Sequence, residues 1–99
     1  MSDDKLQAGK FVKSVAGRDR GKTFLVFDVL NAAFVRVIDG NSRKIQNPKK
    51  KNVRHLRVIP VDAGEIAERL ALGDRVTDEE VSRAISALGS AGMSEDGRA

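Results

Sequence analysis

The apolar residues in the first half of the chain follow the spacing of β-strands. Residues 23–30 form a nearly continuous apolar run whose β-branched and aromatic content favours a strand over a helix. Residues 33–39 form a second run after a break of only two residues, so the two runs are predicted to pair as a hairpin. Shorter strands are predicted at residues 11–15, 43–45 and 53–61.

Turn signals separate these strands at short intervals. The segment Asp39-Gly40-Asn41-Ser42 contains an Asp-Gly pair, which favours a turn with positive φ. Several short strands joined by turns are typical of a small antiparallel barrel, in which closure removes exposed strand edges. We therefore predict a mainly β fold, with an N-terminal tail over residues 1–7 and a small barrel over residues 8–61.

The pattern changes to helical spacing after Pro60. A first helix is predicted to begin at Asp62 as its N-cap and to end at Gly73, with Ile66 and Leu70 on its apolar face. A second helix is predicted to begin at the capping box of residues 77–80. Its apolar face carries Val81, Ala84, Ile85 and Leu88. We thus expect two short helices within residues 62–88 and a flexible tail over residues 89–99.

The composition excludes several kinds of catalytic and metal site. The chain of 99 residues has no cysteine and one histidine, so it lacks disulfides, thiolate nucleophiles and cysteine-based zinc sites. His55 has no evident acidic partner in its own segment, and a packing or base-stacking role is expected before a catalytic one. We expect no enzyme activity, no cofactor and no bound metal. The absence of cysteine suits a reducing compartment, and we expect a cytoplasmic protein without membrane contact.

The net charge of +4 conceals a strong asymmetry along the chain. Residues 1–60 carry 14 Lys and Arg against 5 Asp and Glu, a balance of +9, whereas residues 61–99 have a balance of −5. A strongly basic small module points to a polyanion, and nucleic acid is the first candidate. The alternative is a basic surface that serves only solubility.

The basic loop between the first two strands is the most informative segment. Gly17 and Gly21 allow positive φ and leave backbone amides uncovered, while Arg18, Arg20 and Lys22 supply charge. Such a loop can hold phosphates through side chains and main-chain N–H groups together. The segment alone is equally compatible with an ordinary solvated hairpin loop.

This strand–loop–strand segment resembles the KOW motif of ribosomal and transcription-elongation proteins. Gly21 matches the central glycine of the motif, between basic residues Arg20 and Lys22, and residues 12–19 and Val26 follow the same order. A second match is the Pro- and Lys-rich stretch of residues 48–56. The chain is therefore similar to KOW-containing RNA-binding proteins related to archaeal and eukaryotic large-subunit ribosomal proteins. The resemblance implies an SH3-like barrel and RNA binding.

Three adjacent lysines add a second candidate for contact with phosphate. Lys49, Lys50 and Lys51 are predicted to lie in a loop, where they repel one another unless an anion lies between them. Lysine supplies charge without planar geometry, so this cluster is expected to position RNA and not to distinguish bases. The predicted RNA-binding residues are Lys13, Arg18, Arg20, Gly21, Lys22, Arg43, Lys44, Lys49, Lys50, Lys51, Arg54 and His55. The four phenylalanines, Phe11, Phe24, Phe27 and Phe34, are expected mainly in the core.

Two functional hypotheses follow, and DNA binding is a weaker third. The first is a non-enzymatic RNA-binding module for structured, ribosomal RNA. The second is a KOW-type protein-interaction module in transcription or translation, and the acidic helices are candidate contacts for ribosomal or other translation proteins.

We expect the helices to pack on the barrel and partly screen its charge, and the barrel still to fold in a chain that ends at Val61. If the helices cover an apolar barrel face, that truncation should instead destabilise or aggregate the protein.

Overall fold

The computed structural model describes residues 6–61 and 63–98, and it is a small β structure followed by two helices. The five strands are β1 (Phe11–Ser14), β2 (Thr23–Val29), β3 (Phe34–Ile38), β4 (Lys49–Asn52) and β5 (Leu56–Ile59). A 3-10 turn (Val53–His55) joins β4 to β5, and the helices are α1 (Glu65–Leu72) and α2 (Asp78–Arg98). The predicted mainly β fold with a C-terminal helical appendage is confirmed.

The strands form one antiparallel sheet that curls into a barrel-like shape. Its strand order is β4-β3-β2-β1-β5, so β4 and β1 are separated by two strands. In a flat sheet, strands this far apart lie about 14 Å from each other. The Nζ of Lys51 on β4 nevertheless donates a hydrogen bond to the Oγ of Ser14 on β1 over 3.3 Å. The sheet must therefore curve to bring these strands together.

Strand β2 is buried on both faces of the sheet from Phe24 to Val26, which explains its nearly continuous apolar run. Side chains on the concave face form an interior cluster, whose buried members are Val12, Phe24, Val26, Val35 and Val37. On the other face, Phe11, Leu25 and Ile38 form an outer cluster with three residues of the helical part. These are Leu70 of α1, Val81 of α2, and Val76, which lies between the two helices. Because alternate residues of β2 enter different clusters, the strand lacks the polar alternation of a half-exposed sheet. The predicted packing of the helices on the barrel is confirmed.

The helix signals were placed correctly, but the helix lengths differ from the prediction. The Oγ1 of Thr77 accepts from the Glu80 amide over 3.1 Å, and Glu80 accepts from the Thr77 amide over 2.9 Å, so the capping box is confirmed. Gly73 ends α1 in the left-handed conformation with φ 77°. The N-cap of α1 is Gly64, and the predicted cap, Asp62, lies outside the described residues. The second helix does not end near Leu88, as predicted, but continues through Arg98.

The segment from Asp39 to Asn52 differs most from the prediction. Residues 43–45 form no strand, because the Asp39 carboxylate accepts from the backbone amides of Asn41 and Arg43 and holds the chain in a turn. The three lysines lie not in a loop but in β4, where Lys49, Lys50 and Lys51 pair with Val37, Arg36 and Val35 of β3. Backbone pairing with β3 therefore overrides the weak strand preference of a lysine run.

Two glycines lie where the helices touch the barrel. A Cβ on Gly9 would meet the backbone Cα of Ala67 in α1 at 2.6 Å. A Cβ on Gly40 would collide with the backbone oxygen of Asp78 and meet the amide nitrogen of Ser82 at 2.8 Å. Both glycines also have positive φ, 92° and 76°. At these two points the helices approach the β part more closely than any other residue type allows.

Candidate nucleic-acid interface

The loop between β1 and β2, residues 15–22, is held at its base by backbone hydrogen bonds. The amide of Gly21 donates to the Ser14 oxygen, and the amide of Ser14 donates to the Lys22 oxygen, over 2.8 and 2.9 Å. Gly17 and Gly21 have φ of 79° and 89°, which confirms the prediction of positive φ at both positions. The loop therefore extends the β1–β2 hairpin and exposes Arg18, Arg20 and Lys22.

A carboxylate in this loop binds the lysines of β4. The Oδ2 of Asp19 lies 2.8 Å from the Nζ of Lys49 and 3.2 Å from the Nζ of Lys51. The Lys51 side chain is only 9% exposed, and it also donates to Ser14. The anion that three adjacent lysines require is thus supplied by the chain itself. Asp19 joins the two basic segments that the sequence placed far apart.

The surroundings of Asp19 strongly favour its ionised form. The Lys49 ammonium donates a hydrogen bond to the carboxylate and is the largest cause of a lowered pKa, and burial opposes it. Together with the hydrogen bond and charge of Lys51, it lowers the pKa of Asp19 from 3.8 to about 2. The ion pairs are therefore intact at neutral pH.

We expect these ion pairs to stabilise the fold above about pH 4 and to lose their effect as the pH falls towards about 2. The sign follows because the pKa of Asp19 is lower in the folded than in the unfolded chain, so protonation favours unfolding. Asp19→Asn should therefore weaken the acid dependence of the free energy of unfolding. Urea denaturation at about pH 5 and pH 2.5 measures this difference. Equal acid dependence in the variant and the wild type would contradict the assignment.

The third lysine of β4 lies on the opposite face of the strand. The Nζ of Lys50 lies 4.4 Å from the ring centroid of Phe34, which is half-buried. Its cross-strand partner, Arg36, forms an ion pair with Asp28. Strand alternation thus divides the lysine run, with Lys49 and Lys51 towards Asp19 and Lys50 towards solvent. The three lysines therefore do not face one side of the strand together, and their contact with RNA stays a prediction.

The phenylalanines also divide into two groups. Phe11 and Phe24 are buried core residues, as predicted. Phe27 is half-buried against the outer cluster, with the Arg36 guanidinium 5.6 Å from its ring centroid. Phe34 belongs to neither cluster and lies beneath Lys50. The prediction of a core position therefore does not hold for Phe34.

The β part, residues 6–61, exposes more cations than carboxylates. Eight Lys and Arg residues of this range are exposed, whereas its three Asp residues are half-buried. We call these eight residues the basic surface: Lys13, Arg18, Arg20, Lys22, Lys44, Lys50, Arg54 and Arg57. Arg57, the register partner of Lys13, was not among the candidates, although its place between apolar Leu56 and Val58 marks an outward position. Of the other predicted residues, His55 and Gly21 are exposed and Arg43 is half-buried.

Each carboxylate of the β part has a partner within the chain. Asp19 binds Lys49 and Lys51, Asp28 binds Arg36, and Asp39 accepts from backbone amides and from Ser42. Burial raises the pKa of Asp39, but hydrogen bonds from Arg43, Asn41 and Ser42 and the nearby charge of Lys22 outweigh it and lower the pKa. These residues neutralise little of the basic surface, because their hydrogen bonds and ion pairs are made with groups outside it. Sequence reasoning gave Asp19 no role, although a single carboxylate between Arg18 and Arg20 was a usable signal.

The described residues offer no metal site and no membrane span. In residues 6–61 and 63–98, no group of three or more His, Asp and Glu side chains could hold a metal ion. Neither helix in that part of the chain is long and apolar enough to cross a membrane.

Comparison with known proteins agrees with the KOW resemblance. No family model matches the chain. Its sequence is 26% identical, over 84 residues, to the large ribosomal subunit protein eL14 of Sulfolobus acidocaldarius. The chain is similar to a large-subunit ribosomal protein. The matched region covers 85% of this chain and 80% of the eL14 protein. The predicted resemblance to KOW-type ribosomal proteins is confirmed at this level.

Proposed function

We propose that the protein is a non-enzymatic module that binds structured RNA, most directly ribosomal RNA, through the basic surface. The observation that carries this proposal is that the three carboxylates of residues 6–61 are all paired within the chain, beside eight exposed Lys and Arg side chains. A surface of one sign attracts a polyanion over a wide area and gains affinity from counterion release. The similarity to eL14, a protein of the large ribosomal subunit, supports RNA as the polyanion.

The β1–β2 loop and β4 supply the contacts in this proposal. Arg18 and Arg20 present planar guanidinium groups that can hold phosphates with two hydrogen bonds each. Lys22 and Lys50 add point charges, and Arg54 and His55 extend the surface along the 3-10 turn. The loop, β4 and the 3-10 turn all adjoin one sheet, which brings these groups to one module suited to recognition of RNA by its shape and phosphates. The side chains required are binding groups, with no activated nucleophile among them.

The helical part of the chain exposes more carboxylates than cations. Glu65, Glu68, Asp74 and Glu79 are exposed on or beside α1 and α2, against the exposed cations Arg75 and Arg83. We propose that this acidic side faces basic protein partners, such as other ribosomal or translation proteins, while the β part faces RNA. A cytoplasmic location accords with this role.

Crosslinking in cells, followed by sequencing of the bound RNA, tests the proposed function. We expect crosslinks concentrated in a few structured segments of ribosomal RNA. Recovery of protein partners without RNA would contradict the proposal and favour the protein-interaction hypothesis. A variant with Arg18, Arg20 and Lys22 changed to Gln is a suitable control, because it should remove most crosslinks without disturbing the core.

Lys50 and Lys51 should differ in their effects although they are neighbours. Lys50→Ala should lower the slope of log K against log salt by about 0.7–0.9, because it removes one free cation from the RNA surface. Lys51→Ala should change this slope less and should cost about 1–3 kcal/mol of stability, because it removes a buried, charged hydrogen-bond donor. Salt titrations and urea denaturation of both variants measure the two effects. Equal losses of salt slope would show that Lys51 also contacts phosphate.

A further inference from the structure

Asp19 separates two exposed cations and is itself directed inward. Arg18 and Arg20 are exposed, whereas the Asp19 side chain is 15% exposed and bound to two lysines of β4. The two arginines therefore lie on either side of a side chain that is fixed to the sheet. Their positions depend on where Asp19 holds the loop.

The tip of the loop has few other constraints. At Gly17 and Gly21, no atom lies within 4 Å of the position that a Cβ would occupy, and of the two only Gly21 is hydrogen-bonded to the strand, through the Ser14 oxygen at the base of the loop. The hydrogen bonds between Arg20 and Gly17 and between Lys22 and Asp19 are local to the loop. A loop with two open glycines can adopt many conformations unless a side chain ties it down. The contacts of Asp19 with Lys49 and Lys51 provide such a tie.

We propose that Asp19 is a positioning residue that holds Arg18 and Arg20 at a spacing suited to the phosphates of folded RNA, with Lys49 and Lys51 as its anchors. This inference rests on the proposed RNA-binding function. It assigns the lysines of β4 two separate tasks. Lys49 and Lys51 hold the loop, and Lys50 faces the ligand.

Charge and positioning predict opposite effects for the same substitution. Asp19→Asn removes one negative charge beside the basic surface, so on charge alone it should strengthen binding to every RNA. If Asp19 positions the loop, the same change leaves Arg18 and Arg20 mobile in the unbound protein. A rigid RNA must then order them on binding, and the free energy spent on this ordering lowers the affinity. An unstructured RNA can adjust to a mobile loop. Its affinity should therefore respond mainly to the lost negative charge and should rise.

The experiment compares an RNA hairpin with an A-form stem and a polyuridylate of the same length. We expect Asp19→Asn to lower the ratio of hairpin to polyuridylate affinity by about three- to ten-fold. Asp28→Asn is the matched control, because it removes the same charge from another ion pair of the sheet and leaves the loop tied. It should leave the ratio unchanged. Asp19→Glu should restore part of the ratio by restoring the carboxylate.

A second pair of variants keeps the test valid if Asp19→Asn does not fold. Lys49→Gln removes one anchor and should lower the ratio, whereas Lys50→Gln makes the same charge change and should lower both affinities alike. A rise of equal size for both RNAs in Asp19→Asn, or a lowered ratio in Asp28→Asn, would overturn the positioning role. A wild-type protein that binds neither RNA would instead contradict the proposed function.

Discussion

A chain that ends at Val61 should fail to form a stable fold. Without the helices, Phe11, Leu25 and Ile38 would face water, although each is at most 3% exposed in the complete chain. Full burial of one such side chain contributes about 1.5–3 kcal/mol. The total stability of a small domain is only about 5–15 kcal/mol. We therefore expect loss of cooperative unfolding or aggregation, contrary to the expectation from sequence that the barrel folds alone.

A chain that ends at Leu88 is the matched control for this truncation. It keeps Leu70, Val76 and Val81, the buried helix-side members of the outer cluster, together with Leu88, which packs against it. Thermal unfolding followed by circular dichroism should give a cooperative transition for this chain. An equally cooperative transition for the chain that ends at Val61 would show that the outer cluster is dispensable.

Gly40→Ala should be the most damaging single methyl addition in the β part. Positive φ at this position costs a non-glycine residue about 1–3 kcal/mol. The new Cβ would also collide with the backbone of α2 at Asp78 and Ser82. Relief of such overpacking costs about 1–3 kcal/mol more in folding free energy. We expect a loss of roughly 2–6 kcal/mol in the free energy of unfolding, measured by urea denaturation.

Gly17→Ala separates the two contributions to this loss. Gly17 has a similar φ of 79°, but no atom lies within 4 Å of its Cβ position. Its substitution should therefore show the backbone cost alone, about 1–3 kcal/mol. If both substitutions destabilise the protein equally, the close approach of α2 to Gly40 contributes nothing.

The predictions from sequence succeeded where the pattern and the tertiary environment agree. The apolar runs of β2 and β3 supply buried residues to both clusters, so their strand preference and their packing favour the same conformation. The capping box at Thr77 is a local signal, because its two hydrogen bonds form within a single turn. Gly17, Gly21 and Gly73 all adopt the positive φ that glycine permits.

The predictions failed where distant residues decide the conformation. A run of lysines has no intrinsic strand signal, and Lys49 to Lys51 form a strand because β3 offers backbone partners and Asp19 offers a counter-charge. The loop around Ile45 is fixed by a long-range hydrogen bond. The backbone amide of Ile45 donates to the carboxylate of Asp78, 33 residues away. Contacts of this kind cannot be inferred from spacing along one chain.

The outer cluster between the sheet and the helices has a consequence for protein synthesis. Because translation proceeds from the N-terminus, all five strands are made before α2, which completes the outer cluster. At about 5–20 residues per second, the interval between Pro60 and Leu88 lasts about 1–6 s. During this interval the nascent chain carries an uncovered apolar sheet face, so its folding is completed only when α2 is available to close over the sheet.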